Sequence, residues 1–153
     1  TISSNRSTHY YSNEVMNDQA TALGEAISKA IEKSGKKVVL VASHSLSHRH
    51  FVTEAPLPED MSREHIYNHS QYVWDMKAID MMRKGQMREL VDILPEMIEQ
   101  TMAEAEGGGL TWMMAAMGMP DYPAEIYGYQ SVIGTGNVIA AWDPNEATRE
   151  IVL

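Results

Sequence analysis

Three of the six histidines fall within eight residues, in Ser43-His44-Ser45-Leu46-Ser47-His48-Arg49-His50. Imidazole changes charge near neutral pH and also binds transition metals, so proton transfer and metal binding are both open to this stretch. A site made of His44, His48 and His50 alone does not follow. Their spacing matches no common zinc-finger pattern, and a turn-rich loop does not hold three rings in fixed directions. A carboxylate is the next candidate. Leu90, Leu94, Met97, Thr101 and Glu104 fall 4, 3, 4 and 3 residues apart, so a helix would put all five on one inward face. A carboxylate there is costly unless it is paired, protonated or bound to a cation. A partner arginine, exposure at a frayed helix end and a bound metal all remain open. Glu106 lies away from that stripe and reads as solvated surface.

The elements that must position these residues are legible in outline. Met16, Ala20, Leu23, Ile27 and Ile31 recur at helical spacing, and Gly35 stands where a left-handed cap belongs, so a helix is predicted from Asn13 to Ser34. Lys37 to Ala42 is apolar through its centre and reads as a strand buried on both faces. The histidines therefore leave the C-terminal end of a buried strand, where open α/β sheets bind ligands. A long loop is predicted from Ser43 to about Asn68, broken by Pro56 and Pro58; loops of that length are usually functional. Helices are expected from Ser70 to Arg83 and from Gln86 onward, with Pro95 kinking the second or starting a new segment. Gly107-Gly108-Gly109 closes that region, a short helix runs from Leu110 to Met117, and a strand region from Tyr129 to Trp142 follows. The class is α/β.

Composition excludes several roles. The chain has 153 residues, 44% of them hydrophobic, and a net charge of −9, which speaks against a nucleic-acid partner. Its apolar runs are too short to span a membrane. With no cysteine it has no disulfide, thiolate metal site or Cys nucleophile, which fits a cytoplasmic location. The methionines at 81–82 and at 113, 114, 117 and 119 suit an adaptable core or an intersubunit surface. Thr1 is not an initiator Met, and Thr1-Ile2-Ser3-Ser4 reads as the tail of a buried strand. The expectation is a fragment or a processed product, with part of the fold on another polypeptide.

One resemblance draws these features together. Leu46-Ser47-His48, directly after the apolar strand and a Ser-rich turn, resembles the Leu-Ser-His motif of the class III extradiol ring-cleaving dioxygenases. His50-Phe51 and the run Ala103-Glu104-Ala105-Glu106-Gly107-Gly108-Gly109-Leu110-Thr111-Trp112 resemble the aminophenol branch of that family. The likeness covers Ile2 through Asp143. It implies the C-terminal half of a mixed sheet flanked by helices, with residues 1–153 as one domain completed by another segment. It also implies a non-haem Fe(II) site with Glu104 as the carboxylate ligand and His48 as the active-site acid–base. The two histidine ligands would come from an N-terminal half polypeptide, because no pair in this chain maps onto them. A related non-catalytic subunit, a small aromatic substrate and O2 are the other implied partners. His44, His50, Trp112, Tyr127 and Tyr129 are further pocket candidates, although aromatic residues of this kind more often fill the core. Two rival readings stand beside this one. The chain is either the related structural subunit without a working site, or a scaffold that uses an N-terminal Thr1 as nucleophile and its amine as base.

Overall fold

The computed structural model describes residues 11–48, 68–103, 107–132 and 134–145. They form helix α1 (Asn13–Ser34), helix α2 (His69–Arg83), helix α3 (Met87–Thr101), helix α4 (Gly108–Ala116), strand β1 (Glu125–Val132) and strand β2 (Thr135–Ala141). β1 and β2 pair as an antiparallel hairpin, with Glu125 opposite Ala141 and Val132 opposite Thr135. None of the described helices is long and apolar enough to cross a membrane.

α1 begins and ends where its capping residues require. The Ser12 hydroxyl accepts from the Val15 N–H, and Gly35 closes the helix at φ 62°. Its buried face keeps Met16, Ala20 and a partly buried Ile27 of the predicted stripe and shifts from Leu23 toward Gly24. Met16, Ala20 and Gly24 are buried, whereas Leu23 is exposed. Gly24 explains the rotation: a Cβ there would stand 2.3 Å from the Trp112 carbonyl oxygen and 2.5 Å from the Ala115 Cβ. Having none, α1 lies directly on α4. α4 is buried on all sides, as its uniformly apolar and small residues require.

Pro95 was expected to kink the second helical region or to start a new segment; it starts none, and α3 runs from Met87 to Thr101 with Pro95 inside it. Proline removes the donor that would meet the carbonyl four residues earlier, here that of Val91. The Asn17 Nδ2 of α1 donates to that oxygen at 2.9 Å, and Asn17 Oδ1 accepts from Thr111 of α4 at 2.8 Å. One side chain thus fills the proline gap and ties three helices together. Asn17→Ala should leave both the Val91 carbonyl and the Thr111 hydroxyl buried without these partners, at about 1–3 kcal/mol. Thermal unfolding of the variant assembly should show the midpoint lowered by roughly 2–4 °C per kcal/mol; an unchanged midpoint would refute the brace.

The apolar stretch Lys37–Ala42 is not a buried strand. It joins no ladder among the described residues, and Val39 is 88% exposed. A strand exists through hydrogen bonds to neighbours, and the described residues supply none beside it. Val39 and Val41 instead edge an open apolar hollow against Ile31, Met113, Met117 and Trp142. The sheet seen here is accordingly two-stranded and antiparallel rather than a larger mixed one. The core lies between the helices. Met82, Met87, Leu90, Leu94, Met97 and Met114 are its largest fully buried apolar side chains.

Candidate active site

The predicted loop after Ala42 is, in its first part, tightly held. Leu46 N–H donates to the Gly136 carbonyl at 2.9 Å and Gly136 N–H returns a bond to the Ser47 carbonyl at 3.1 Å, fastening the segment to β2. Ser45 Oγ donates to Asn137 Oδ1 on the same strand. His48 N–H donates to the carbonyl of Thr101, the last residue of α3, at 3.2 Å. Gln71 of α2 donates through Nε2 to the His48 carbonyl at 3.0 Å and to the Thr101 carbonyl at 3.1 Å. Its amide orientation is fixed, since two carbonyl oxygens can be met only by the nitrogen.

Asp75, one turn beyond Gln71 on α2, is fully buried. Its carboxylate accepts from Ser47 N–H at 2.9 Å, Ser47 Oγ at 2.7 Å and Tyr129 Oη at 2.7 Å. Burial pushes the Asp75 carboxyl above the ordinary carboxylate range, against the opposing pull of the Tyr129 and Ser47 donors. Burial also raises the Tyr129 phenol, and its bond to Asp75 adds to that, so Tyr129 keeps its proton. Gly136 completes the arrangement. A Cβ there would stand 1.8 Å from Asp75 Oδ2 and 2.8 Å from Ser47 Oγ, so β2 can approach only with glycine at this position.

The predicted site residues therefore divide. His48 and Tyr129 meet through Ser47 and Asp75. His44 lies against α4: a Cβ on Gly109 would come within 2.7 Å of its Cδ2. The His44 Nδ1 donates to the Ser45 carbonyl at 2.8 Å. Trp112 is buried in the helical core rather than lining a pocket. Tyr127 is exposed, and its hydroxyl donates to Glu125.

Glu104, Glu106, His50 and Thr1 lie outside the described residues, as does the loop beyond His48 as far as residue 67. The seam proposed for Glu104 is real as far as Thr101, since Leu90, Leu94, Met97 and Thr101 are all buried. It stops there. Met102 takes a left-handed conformation at φ 50°, so helical spacing cannot place Glu104. The described residues on either side, Ala103 and Gly107, are buried. Among the described residues no three His, Asp or Glu side chains form a group that could hold a metal.

Gln71 and Asp75 escaped sequence reasoning because polar residues on a helix read as solvated. The available signal was their phase. They share one face with Ala78, Ile79 and Met82, all buried.

Gln71 and Asp75 thus form a helix-borne clamp on the segment that carries His48. Comparison with known proteins shows the family. Residues 9–141 match the family described as the catalytic LigB subunit of aromatic ring-opening dioxygenase. The chain belongs to that family, within the class III extradiol dioxygenase superfamily. It is 48% identical over 142 residues to a 2-aminophenol 1,6-dioxygenase beta subunit from a Pseudomonas species, covering 93% of this chain and 47% of that protein. It is 30% identical over 105 residues to 3,4-dihydroxyphenylacetate 2,3-dioxygenase of Escherichia coli, covering 69% of this chain and 37% of that protein. The chain thus spans about half or less of the length of these curated relatives.

Proposed function

We propose that this chain is the C-terminal half of the catalytic subunit of an extradiol dioxygenase that opens a 2-aminophenol or catechol ring with O2. The observation that carries the reading is the fixed backbone of His48 in a chain of this family: its N–H and carbonyl are both held, by Thr101 and Gln71. A proton-transfer group must be held in register with its substrate, and such a clamp does that.

Glu104 is the carboxylate assigned to a non-haem Fe(II), with two histidines contributed by an N-terminal half polypeptide. Glu104 follows Thr101 by three positions, so chain connectivity alone keeps its Cα within about 11 Å of that of Thr101, whose carbonyl accepts the His48 N–H. The donor set of two histidines and one carboxylate suits Fe(II) and leaves positions open. Iron, when bound, would couple electron flow from the ring to O2. His48 accepts a proton from the ring hydroxyl as substrate binds and returns one as the ring opens. Tyr129 keeps its proton in a hydrogen bond to Asp75 and so does not act as an acid. The exposed Val38, Val39 and Val41 side chains are where the N-terminal half would pack. A related non-catalytic subunit is the further partner.

The test is to purify the native complex anaerobically, identify every polypeptide by intact mass, and measure iron per chain and O2 uptake with aminophenols and catechols. About one iron per chain, a companion segment with two further histidines and ring-dependent O2 uptake are expected. A complete companion without iron would overturn the dioxygenase reading.

A further inference from the structure

All four main-chain polar groups of Ser47 and His48 have fixed partners. Ser47 N–H donates to Asp75, Ser47 C=O accepts from Gly136, His48 N–H donates to Thr101, and His48 C=O accepts from Gln71. Two of the four partners are side chains of α2, one turn apart. Neither residue is suited to its place on grounds of stability. Positions 71 and 75 continue the stripe of Ala78, Ile79 and Met82, where apolar side chains would be buried without loss of hydration. Gln71 also leaves its Oε1 buried with no hydrogen-bond partner among the described residues. Asp75 is fully buried, and its hydrogen bonds come from Ser47 and Tyr129, not from a lysine or arginine.

We infer that Asp75 is a positioning residue for His48: its carboxylate grips the peptide N–H and hydroxyl of the preceding Ser47, so that helix α2 sets the direction in which the imidazole leaves the backbone. Gln71 completes the grip on the other side of His48 and ties it to the end of α3. The inference rests on the acid–base role proposed for His48.

The test is a double-mutant cycle on kcat in the complete native complex. Asp75→Ala removes both oxygens that accept from Ser47 N–H, Ser47 Oγ and Tyr129 Oη, whereas an asparagine could keep the grip by donating to the two hydroxyls. The alanine variant should lower kcat about 10- to 100-fold, as displacement of a reacting group by about an ångström does. KM for the aromatic substrate and the iron content should change little. In a His48→Ala background the same substitution should leave the residual kcat within about twofold, because a residue acting through His48 has nothing left to position. A purely structural role would cost the same factor in both backgrounds, and that result overturns the inference while leaving the functional reading intact. Should Asp75→Ala fail to assemble, Ser47→Ala removes only the hydroxyl arm of the grip. Its smaller loss must likewise vanish in the His48→Ala background, and persistence there overturns the inference. A wild-type complex that cleaves no aromatic ring defeats the functional reading, and the positioning role falls with it.

Discussion

Truncating His48 to alanine lowers kcat for ring cleavage by about 10²- to 10⁴-fold, the usual contribution of a positioned acid–base. The reason lies in what the substitution removes and what it leaves. The bonds to Thr101 and Gln71 are made by the residue 48 backbone, so they survive loss of the ring. Ser47 keeps its two bonds to Asp75, and the Gly136 bonds to the Ser47 carbonyl and the Leu46 N–H remain. The segment therefore stays in place while its proton carrier is gone. Iron content and KM should stay near wild type, because the assigned metal ligands are elsewhere. The measurement is steady-state O2 uptake beside iron analysis on the same preparation. A loss of less than about tenfold would remove His48 from the chemistry; a loss of iron would make it a ligand instead.

The second large effect is on the metal itself. Glu104→Ala should strip iron from the complex, whereas Glu106→Ala should retain about one per chain. Loss even of groups that only orient a metal ligand costs about 10- to 100-fold in affinity, so loss of one of three ligands costs no less. Activity should fall to background in the first variant and persist in the second. Iron measured by mass spectrometry on anaerobically purified complexes decides it. The reverse pattern would transfer the ligand role to Glu106, and retention in both would place the carboxylate ligand elsewhere. Direct metal measurement is needed because α3 ends at Thr101, so helical periodicity does not choose between the two glutamates.

The particular elements show how far linear reading reached. α1 was legible to its ends because Ser12 and Gly35 act on the residues next to them. Its buried face was legible at Met16, Ala20 and Ile27 but not at Gly24, which contributes closeness rather than hydrophobicity. At Pro95 the alternative of a new segment failed for a related reason. The proline's cost depends on the orphaned Val91 carbonyl, and the group that satisfies it, Asn17, is 74 residues away. The apolar run at Lys37–Ala42 was read as buried on composition, yet burial of a strand depends on neighbours that its own sequence does not contain.

By itself the sequence determined the helices, the Leu46-Ser47-His48 motif and, through it, the family, because caps, periodicity and short motifs are local properties of adjacent residues. Tertiary structure alone decided that Gln71 holds the His48 carbonyl and Asp75 the preceding Ser47, that Gly136 makes room for that carboxylate, and that Tyr129 donates to it. The physical reason is that a buried polar group is defined by its partners. Those of Asp75 lie 28 and 54 residues away in the chain, and only folding brings them within hydrogen-bond reach.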